Sequence, residues 1–345
     1  MSSLNQPTSA PVNEAGADGQ SNKRSPVRVI ADVDTGVDDA LALTFLVRDP
    51  GVDLAAVTCV AGNANVDQVV QNTLDVLELA GAGSTPVGRG AERPLINEAR
   101  TAHGFHGANG IADLELPRSP HSASELPALE LLRRTIEESE VPVTLLALAP
   151  LTNIALFVRA YPHTARKLER IVFMGGSVGM GNATAVAEFN AWHDPEALSV
   201  VLEAGVPVTM YGLDVFYTAT LPSEDYLPLL SSADAGVRLV GELLRHSGSK
   251  ESSDPRLKGG ATLGDAGAAC LVARPETAVL QKFPVSVELA GGCRGKTIVD
   301  QRSHEGESEL HGTTVRNSLI NVAMSIDRDA MQRLFMSTVQ AGCPA

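Results

Sequence analysis

The sequence predicts an α/β protein: a single domain built on an open, mostly parallel, doubly wound sheet with helices on both faces. Three observations predict it. Strand-like and helix-like runs alternate from Val27 onward, the order that βαβ units require. The first run, Val27-Arg28-Val29-Ile30, reads as a buried parallel strand. Nothing between residues 27 and 340 has the composition of a linker.

The elements follow in order. Residues 1–26 are rich in Ser, Asn, Gly, Ala and Pro without periodicity, the composition of a disordered tail. After the first strand, Ala40 to Val47 reads as a helix packed on the sheet, and Leu54 to Val60 as a second strand. Val66 to Leu79 is an amphipathic helix, with Val66, Val69, Val70, Leu74, Val76, Leu77 and Leu79 available for its buried side. Residues 89–120 read as loop. Leu126–Ile136 reads as helix, Val143–Leu148 as strand, Leu151–Ala160 as helix and Arg170–Met174 as strand. Pro195–Ala204 reads as helix and Pro207–Tyr211 as strand. Residues 219–259 are more polar, and are expected to be a helical, mobile lid. Thr262–Val272 reads as a buried helix, Val285–Leu289 as a strand, and Asp327–Val339 as the last helix. No internal repeat is visible.

Composition narrows the function. The chain has 345 residues, 44% of them hydrophobic, enough for a sizeable core. The formal net charge of -14 argues against binding nucleic acid or anionic lipid. The four cysteines, Cys59, Cys270, Cys293 and Cys343, are scattered without metal or redox spacing, which fits a reducing cytoplasm. No apolar run is long enough to span a membrane, and no secretion signal is expected.

The chemistry concentrates at strand-to-helix turns. Asp32, Asp34, Asp38 and Asp39 crowd the first. One aspartate there is ordinarily a helix cap, and Asp38 is the natural one. Four are too many for capping, and their repulsion calls for a hard cation with oxygen ligands. In open α/β sheets this carboxyl end of the strands is where ligands bind. Asn63 follows the second strand and Asp265 opens the late apolar helix; each alone would be a turn or cap residue. The run from Met174 through Asn190 is glycine-rich, but no Lys-Ser/Thr pair follows, so it is a poor phosphate loop. Its Asn182, Glu188 and Asn190 suit sugar hydroxyls.

Together these segments resemble the inosine/uridine-preferring nucleoside hydrolases. The resemblance is carried by Asp32-x-Asp34-x-Gly36-x-Asp38-Asp39, Gly62-Asn63, Pro150-Leu151-Thr152-Asn153, Met174-Gly175-Gly176, and Asn182 through Asn190 followed by Asp194-Pro195-Glu196-Ala197. It implies hydrolysis of the N-glycosidic bond of ribonucleosides to free base and ribose, a salvage reaction. It also implies one calcium ion, held by Asp34, Asp39, Asp265 and the backbone carbonyl of Leu148. Asp34 would deprotonate a water on that ion. Asp38, Asn63, Asn190 and Asp265 would hold the 2′- and 3′-hydroxyls, and Asn182 and Glu188 the 5′-hydroxyl, with Met174 also at the substrate. Asp32 would support the loop from behind. A homodimer or homotetramer is the assembly implied.

One position departs from the family pattern. Well-known members carry a histidine directly before the last calcium aspartate, where it helps protonate the leaving base; this chain has Gly264. His106 matches a family histidine near the base and is one candidate acid. His103, Tyr217, Tyr226 and His246 are others. Trp192, the single tryptophan, reads as wall packing rather than a base-stacking ring. Two other functions compete: a haloacid-dehalogenase-type phosphatase with Asp32 as nucleophile, and a nucleoside or ribose sensor that kept the calcium site but lost the leaving-group acid.

Overall fold

The computed structural model describes residues 25–251, 260–302 and 318–341. The expected disordered tail therefore lies almost wholly outside the described residues, as does Cys343.

Among the described residues, nine strands form one sheet in the order β10-β9-β11-β6-β5-β4-β1-β2-β3. The strands are β1 (Val27–Val33), β2 (Val52–Cys59), β3 (Val87–Arg89), β4 (Val143–Ala147), β5 (Leu168–Met174), β6 (Val208–Tyr211), β9 (Ala278–Val287), β10 (Thr297–Val299) and β11 (Ser318–Ile326). A separate antiparallel pair, β7 (Thr220–Pro222) and β8 (Gly260–Thr262), lies between β6 and β9 in the chain. The pairs from β3 across to β11 are parallel. The β9 pairings with β11 and β10 are antiparallel. This antiparallel edge was legible only as the short run at Val285. The rest is the predicted doubly wound sheet, and its strand order reverses between β1 and β4.

The apolar runs explain the layers. Val29, Ala31 and Val33 of β1 belong to one core cluster and Ile30 to another, so alternate residues face opposite sides of the sheet. On the first side pack α1 (Val37–Arg48), α2 (Val66–Ala80), α11 (Ala235–Glu251) and α12 (Asp265–Ala273). On the second pack α4 (Ala128–Glu137), α5 (Thr152–Ala160) and α8 (Pro195–Leu202).

Four local expectations change. Asp32 lies inside β1, paired with Thr58 and Ala147, and not on the turn. Helix α1 begins at Val37, earlier than its apolar pattern suggests, because Asp39 accepts the Gly36 N–H at 2.8 Å and closes the first turn. The cap role therefore belongs to Gly36 and Asp39, and Asp38 is left with its carboxylate partly exposed. The segment 89–120 contains the end of β3 and a short helix, α3 (His103–His106). The expected lid is helical, but α11 buries Val237, Leu239, Val240, Leu243 and Leu244 in the core. Residues 252–259 lie outside the described residues.

Candidate active site

The strand-order reversal places the turns after β1 and β4 side by side, and a cavity of about 410 Å³ opens there. Its lining includes Asp34, Asp38, Asn63, His106, Leu148, Met174, Asn182, Glu188, Asn190 and Asp265. Ten of the eleven sequence-predicted site residues thus meet at one cavity. The eleventh, Asp39, is fully buried directly beneath, its Oδ1 accepting the Asp34 N–H at 3.2 Å.

Asp34 is held by Asn63, whose backbone N–H donates to its Oδ2 at 2.7 Å and whose Nδ2 donates to its Oδ1 at 3.1 Å. The same Nδ2 reaches Asp39 Oδ2 at 3.2 Å, so one amide bridges two carboxylates. Gly62 is required here: a Cβ would stand 1.9 Å from Asp34 Oδ2. Asp38, Asp39 and Asp265 have ligand oxygens within 4.8 Å of one another, and Asp34 is outside that trio. Asp265 is buried, and its Oδ1 has no hydrogen-bond partner.

Burial, then mutual repulsion, raises the pKa of Asp34 and Asp265 well above the usual carboxylate range. Burial and the Asp38 charge push Asp39 up to about 7. A buried carboxylate oxygen without a donor, beside two more carboxylates, is an environment that a divalent cation satisfies and that a protein alone leaves strained.

The far wall is set by helix caps. Glu188 caps α7 (Phe189–His193), its Oε1 accepting from Asn190 N at 2.8 Å and its Oε2 from Ala191 N at 3.0 Å. Oε2 also takes Gly176 N at 2.9 Å, which pins the glycine loop to the helix. Burial nevertheless pushes Glu188 up to about 7. Oε2 is doubly used, so the open acceptor position of this carboxylate is on Oε1. Asn190 spends Nδ2 on the carbonyls of Leu148 (2.9 Å) and Met174 (3.2 Å). Asn182 Oδ1 accepts the Phe189 N–H at 2.9 Å, which leaves its NH₂ without a protein acceptor among the described residues.

His106 is buried, and burial lowers its pKa. Its Nδ1 accepts the Val37 N–H at 3.1 Å, at the N-terminus of α1. The 3.9 Å approach of the same Nδ1 to Asp38 is therefore not an ion pair. The ring is neutral, with its hydrogen on Nε2.

Several expected residues lie elsewhere. Asp32 is fully buried behind the turn, its Oδ1 accepting from Thr58 Oγ1 at 2.5 Å and Asn153 Nδ2 at 2.8 Å. That gives the Pro-Leu-Thr-Asn motif its role, and it removes Asp32 as a phosphatase nucleophile. Tyr226 is buried in the core. His246 stands behind Phe105, its Nε2 2.8 Å from the Phe105 carbonyl oxygen. His103 and Trp192 do not line the cavity, and the Arg100 guanidinium lies 4.0 Å over the Trp192 ring. Tyr217 does line it, with Phe105, Phe216 and Lys250, which sequence reasoning did not single out. No spacing or motif marks those three; only the fold brings them to the rim.

Comparison with known proteins gives the family. The family model for inosine-uridine preferring nucleoside hydrolase matches residues 29–333. A pyrimidine-specific ribonucleoside hydrolase RihA from Enterobacter sp. (strain 638) is 37% identical over 279 residues, covering 81% of this chain and 89% of the relative. One of the same name from Citrobacter koseri is 36% identical over 273 residues, covering 79% and 88%. The solved structure of the plant nucleoside hydrolase PpNRh1 superposes with a TM-score of 0.85 at 26% identity, covering 92% of this chain and 99% of that one. An inosine-guanosine nucleoside hydrolase superposes at 0.79 with 31% identity, covering 91% and 98%. The chain belongs to the inosine-uridine preferring nucleoside hydrolase family and is an enzyme that hydrolyses ribonucleosides.

Proposed function

We propose that residues 27–340 form one catalytic domain that cleaves the N-glycosidic bond of ribonucleosides to free base and ribose with a calcium ion at the cavity floor. The observation that carries this is the buried, partnerless Asp265 Oδ1 beside Asp38 and Asp39, under a wall of amide and carboxylate groups. The donor set is all oxygen, which suits a hard cation. Asp34, Asp39, Asp265 and the Leu148 carbonyl would hold the ion. Asp34 and Leu148 already accept hydrogen bonds from Asn63 and Asn190, but each oxygen keeps a lone pair. When bound, the ion supplies positive charge that lowers the pKa of a nearby water.

The chain's own residues do the rest. Asp34 accepts the proton of the attacking water. Asp38, Asp265 and the Oδ1 atoms of Asn63 and Asn190 hold the 2′- and 3′-hydroxyls. The Asn182 NH₂ and the open position on Glu188 Oε1 hold the 5′-hydroxyl. Binding those non-reacting hydroxyls supplies energy for distortion at C1′. The ring of carboxylates stabilises the positive charge that develops on the ribosyl group. His106 contributes a neutral N–H donor at the rim.

The test is ribose release from uridine, cytidine, inosine and adenosine before and after exhaustive chelation. Release that falls on chelation and returns with calcium is expected. Release indifferent to chelation would sink the cation reading. The panel also reads the base preference, since relatives named pyrimidine-specific and a solved structure named inosine-guanosine both match this chain.

A further inference from the structure

The cavity lining combines two unlike sets of side chains. One is the carboxylates and amides. The other is Phe105, Phe216 and Tyr217 together with Lys250. Among the described residues Lys250 is the only lysine or arginine that lines the cavity. It stands at the end of α11, and its Nζ lies 3.3 Å from the Gly104 carbonyl. One turn earlier, His246 reaches the Phe105 carbonyl at 2.8 Å. Helix α11 is therefore tied to the segment that bears Phe105 and His106, and it carries an ammonium to the cavity beside that segment. That ammonium has three N–H donors and spends one, at long range, on Gly104.

The leaving base needs such a group. When the bond from C1′ to the base nitrogen breaks, both electrons leave with the base, which becomes an anion. Gly264 offers no side chain. His106 Nδ1 already accepts the Val37 N–H, so its ring brings one N–H and no charge. The remaining ionisable groups of the cavity, apart from Tyr217, are carboxylates, which repel an anion.

We propose that Lys250 is a catalytic residue that binds the leaving base beside Phe105 and offsets the negative charge it acquires. This rests on the N-glycosidic reading above. The oxygen of the attacking water bonds to C1′ and its proton passes to Asp34. The base leaves with the bonding pair against the Lys250 ammonium and takes its proton from solvent. Lys250 keeps its own proton and supplies charge and donors. The substrates favoured are nucleosides whose base has a hydrogen-bond acceptor next to the glycosidic nitrogen.

Leaving-group dependence tests this. Wild type, Lys250→Met and Lys250→Arg would be assayed on the preferred nucleoside and on p-nitrophenyl β-ribofuranoside, whose phenolate is stable unaided. Lys250→Met should lower kcat on the nucleoside about 100-fold, the scale of one lost transition-state donor. It should leave the nitrophenyl riboside within about threefold, with an unchanged melting temperature because the side chain is exposed. Lys250→Arg, which keeps the charge, should retain most activity. Equal losses on both substrates, or none on the nucleoside, would overturn the proposal and leave hydrolysis standing. So would a leaving-group-dependent loss in Tyr217→Phe but not in Lys250→Met. A wild type inactive on every riboside overturns both readings together.

Discussion

Gly264 shows why a family pattern cannot be restored by one substitution. Its φ is +54° with ψ at -126°, a conformation that L side chains rarely adopt. A Cβ there would also stand 2.7 Å from the Asp38 Cβ. The glycine thus lets the N-terminus of α12 pass close to α1 and brings Asp265 to Asp38 and Asp39. Gly264→His, the substitution that sequence resemblance recommends, should therefore lose activity rather than gain a leaving-group acid. The backbone strain alone costs about 1–3 kcal/mol. Displacement of the adjacent Asp265 should weaken cation binding as well. Calcium titration of that variant by calorimetry, alongside its melting temperature, checks both effects; unaltered calcium affinity with raised kcat would refute the argument. Asp38 teaches a related lesson. Sequence logic made it the helix cap, but Asp39 reaches back to the Gly36 N–H, and Asp38 is released to the cavity.

At the scale of elements, the far wall is a five-residue helix held by one carboxylate. A helix that short has no stability of its own. Glu188 gives it one, because three backbone N–H groups from Gly176, Asn190 and Ala191 converge on its two oxygens. Glu188→Gln replaces one acceptor oxygen with an NH₂ that faces those donors. It should cost about 1–3 kcal/mol of stability, the scale of a buried polar group left unsatisfied. It should also blunt the enzyme's discrimination between a nucleoside and its 5′-deoxy analogue. A kcat/KM ratio between those two substrates that is identical in variant and wild type would remove Glu188 from the 5′-hydroxyl. Strands β1, β2, β4, β5 and β6, most helices and the aspartate turn were legible in the sequence, because apolar runs and turn chemistry are local signals. The short strands β3, β7, β8 and β10 and the inner strand β11 were not, nor were three further features. The Ala278–Val287 strand alternates half-buried and exposed residues at its start, and Gln281 and Lys282 interrupt its apolar residues, so only its last residues read as a strand. The apolar stripe of α11 was diluted by its polar residues, so a core helix looked like a lid. Lys250 and Phe105 reach the cavity through long-range packing that no spacing encodes.

For the whole molecule, the buried carboxylates tie stability to pH and, on the function proposed above, to the cation. Asp32, Asp39 and Glu188 titrate near 7 in the fold, against 3.8, 3.8 and 4.5 for the free groups, chiefly because burial disfavours their charge. Asp34 and Asp265 shift the same way. Between about pH 4 and 7 the cation-free fold thus binds more protons than the unfolded chain, and its stability falls as pH rises. The contribution is fully present below the unfolded values and gone above the folded ones. Two histidines act in the opposite sense: burial lowers both, His193 to about 4 and His106 below its usual value, so the fold binds fewer protons there. Glu130 and Asp300, held near 2 by arginines in exposed pairs, matter only in more acidic solution. The histidines are not cation ligands, so their terms cancel in the difference between calcium-loaded and chelated protein. A cation needs the charged carboxylates, and below pH 7 it must displace protons to get them. The calcium-induced rise in Tm should therefore be small at pH 5 and larger at pH 8, where a hundredfold excess over Kd corresponds to about 4 °C. Thermal unfolding with calcium and with chelator at both pH values measures it directly. An equal shift at pH 5 and pH 8 would mean that these carboxylates are already ionised in the cation-free fold, and that something other than calcium offsets their repulsion.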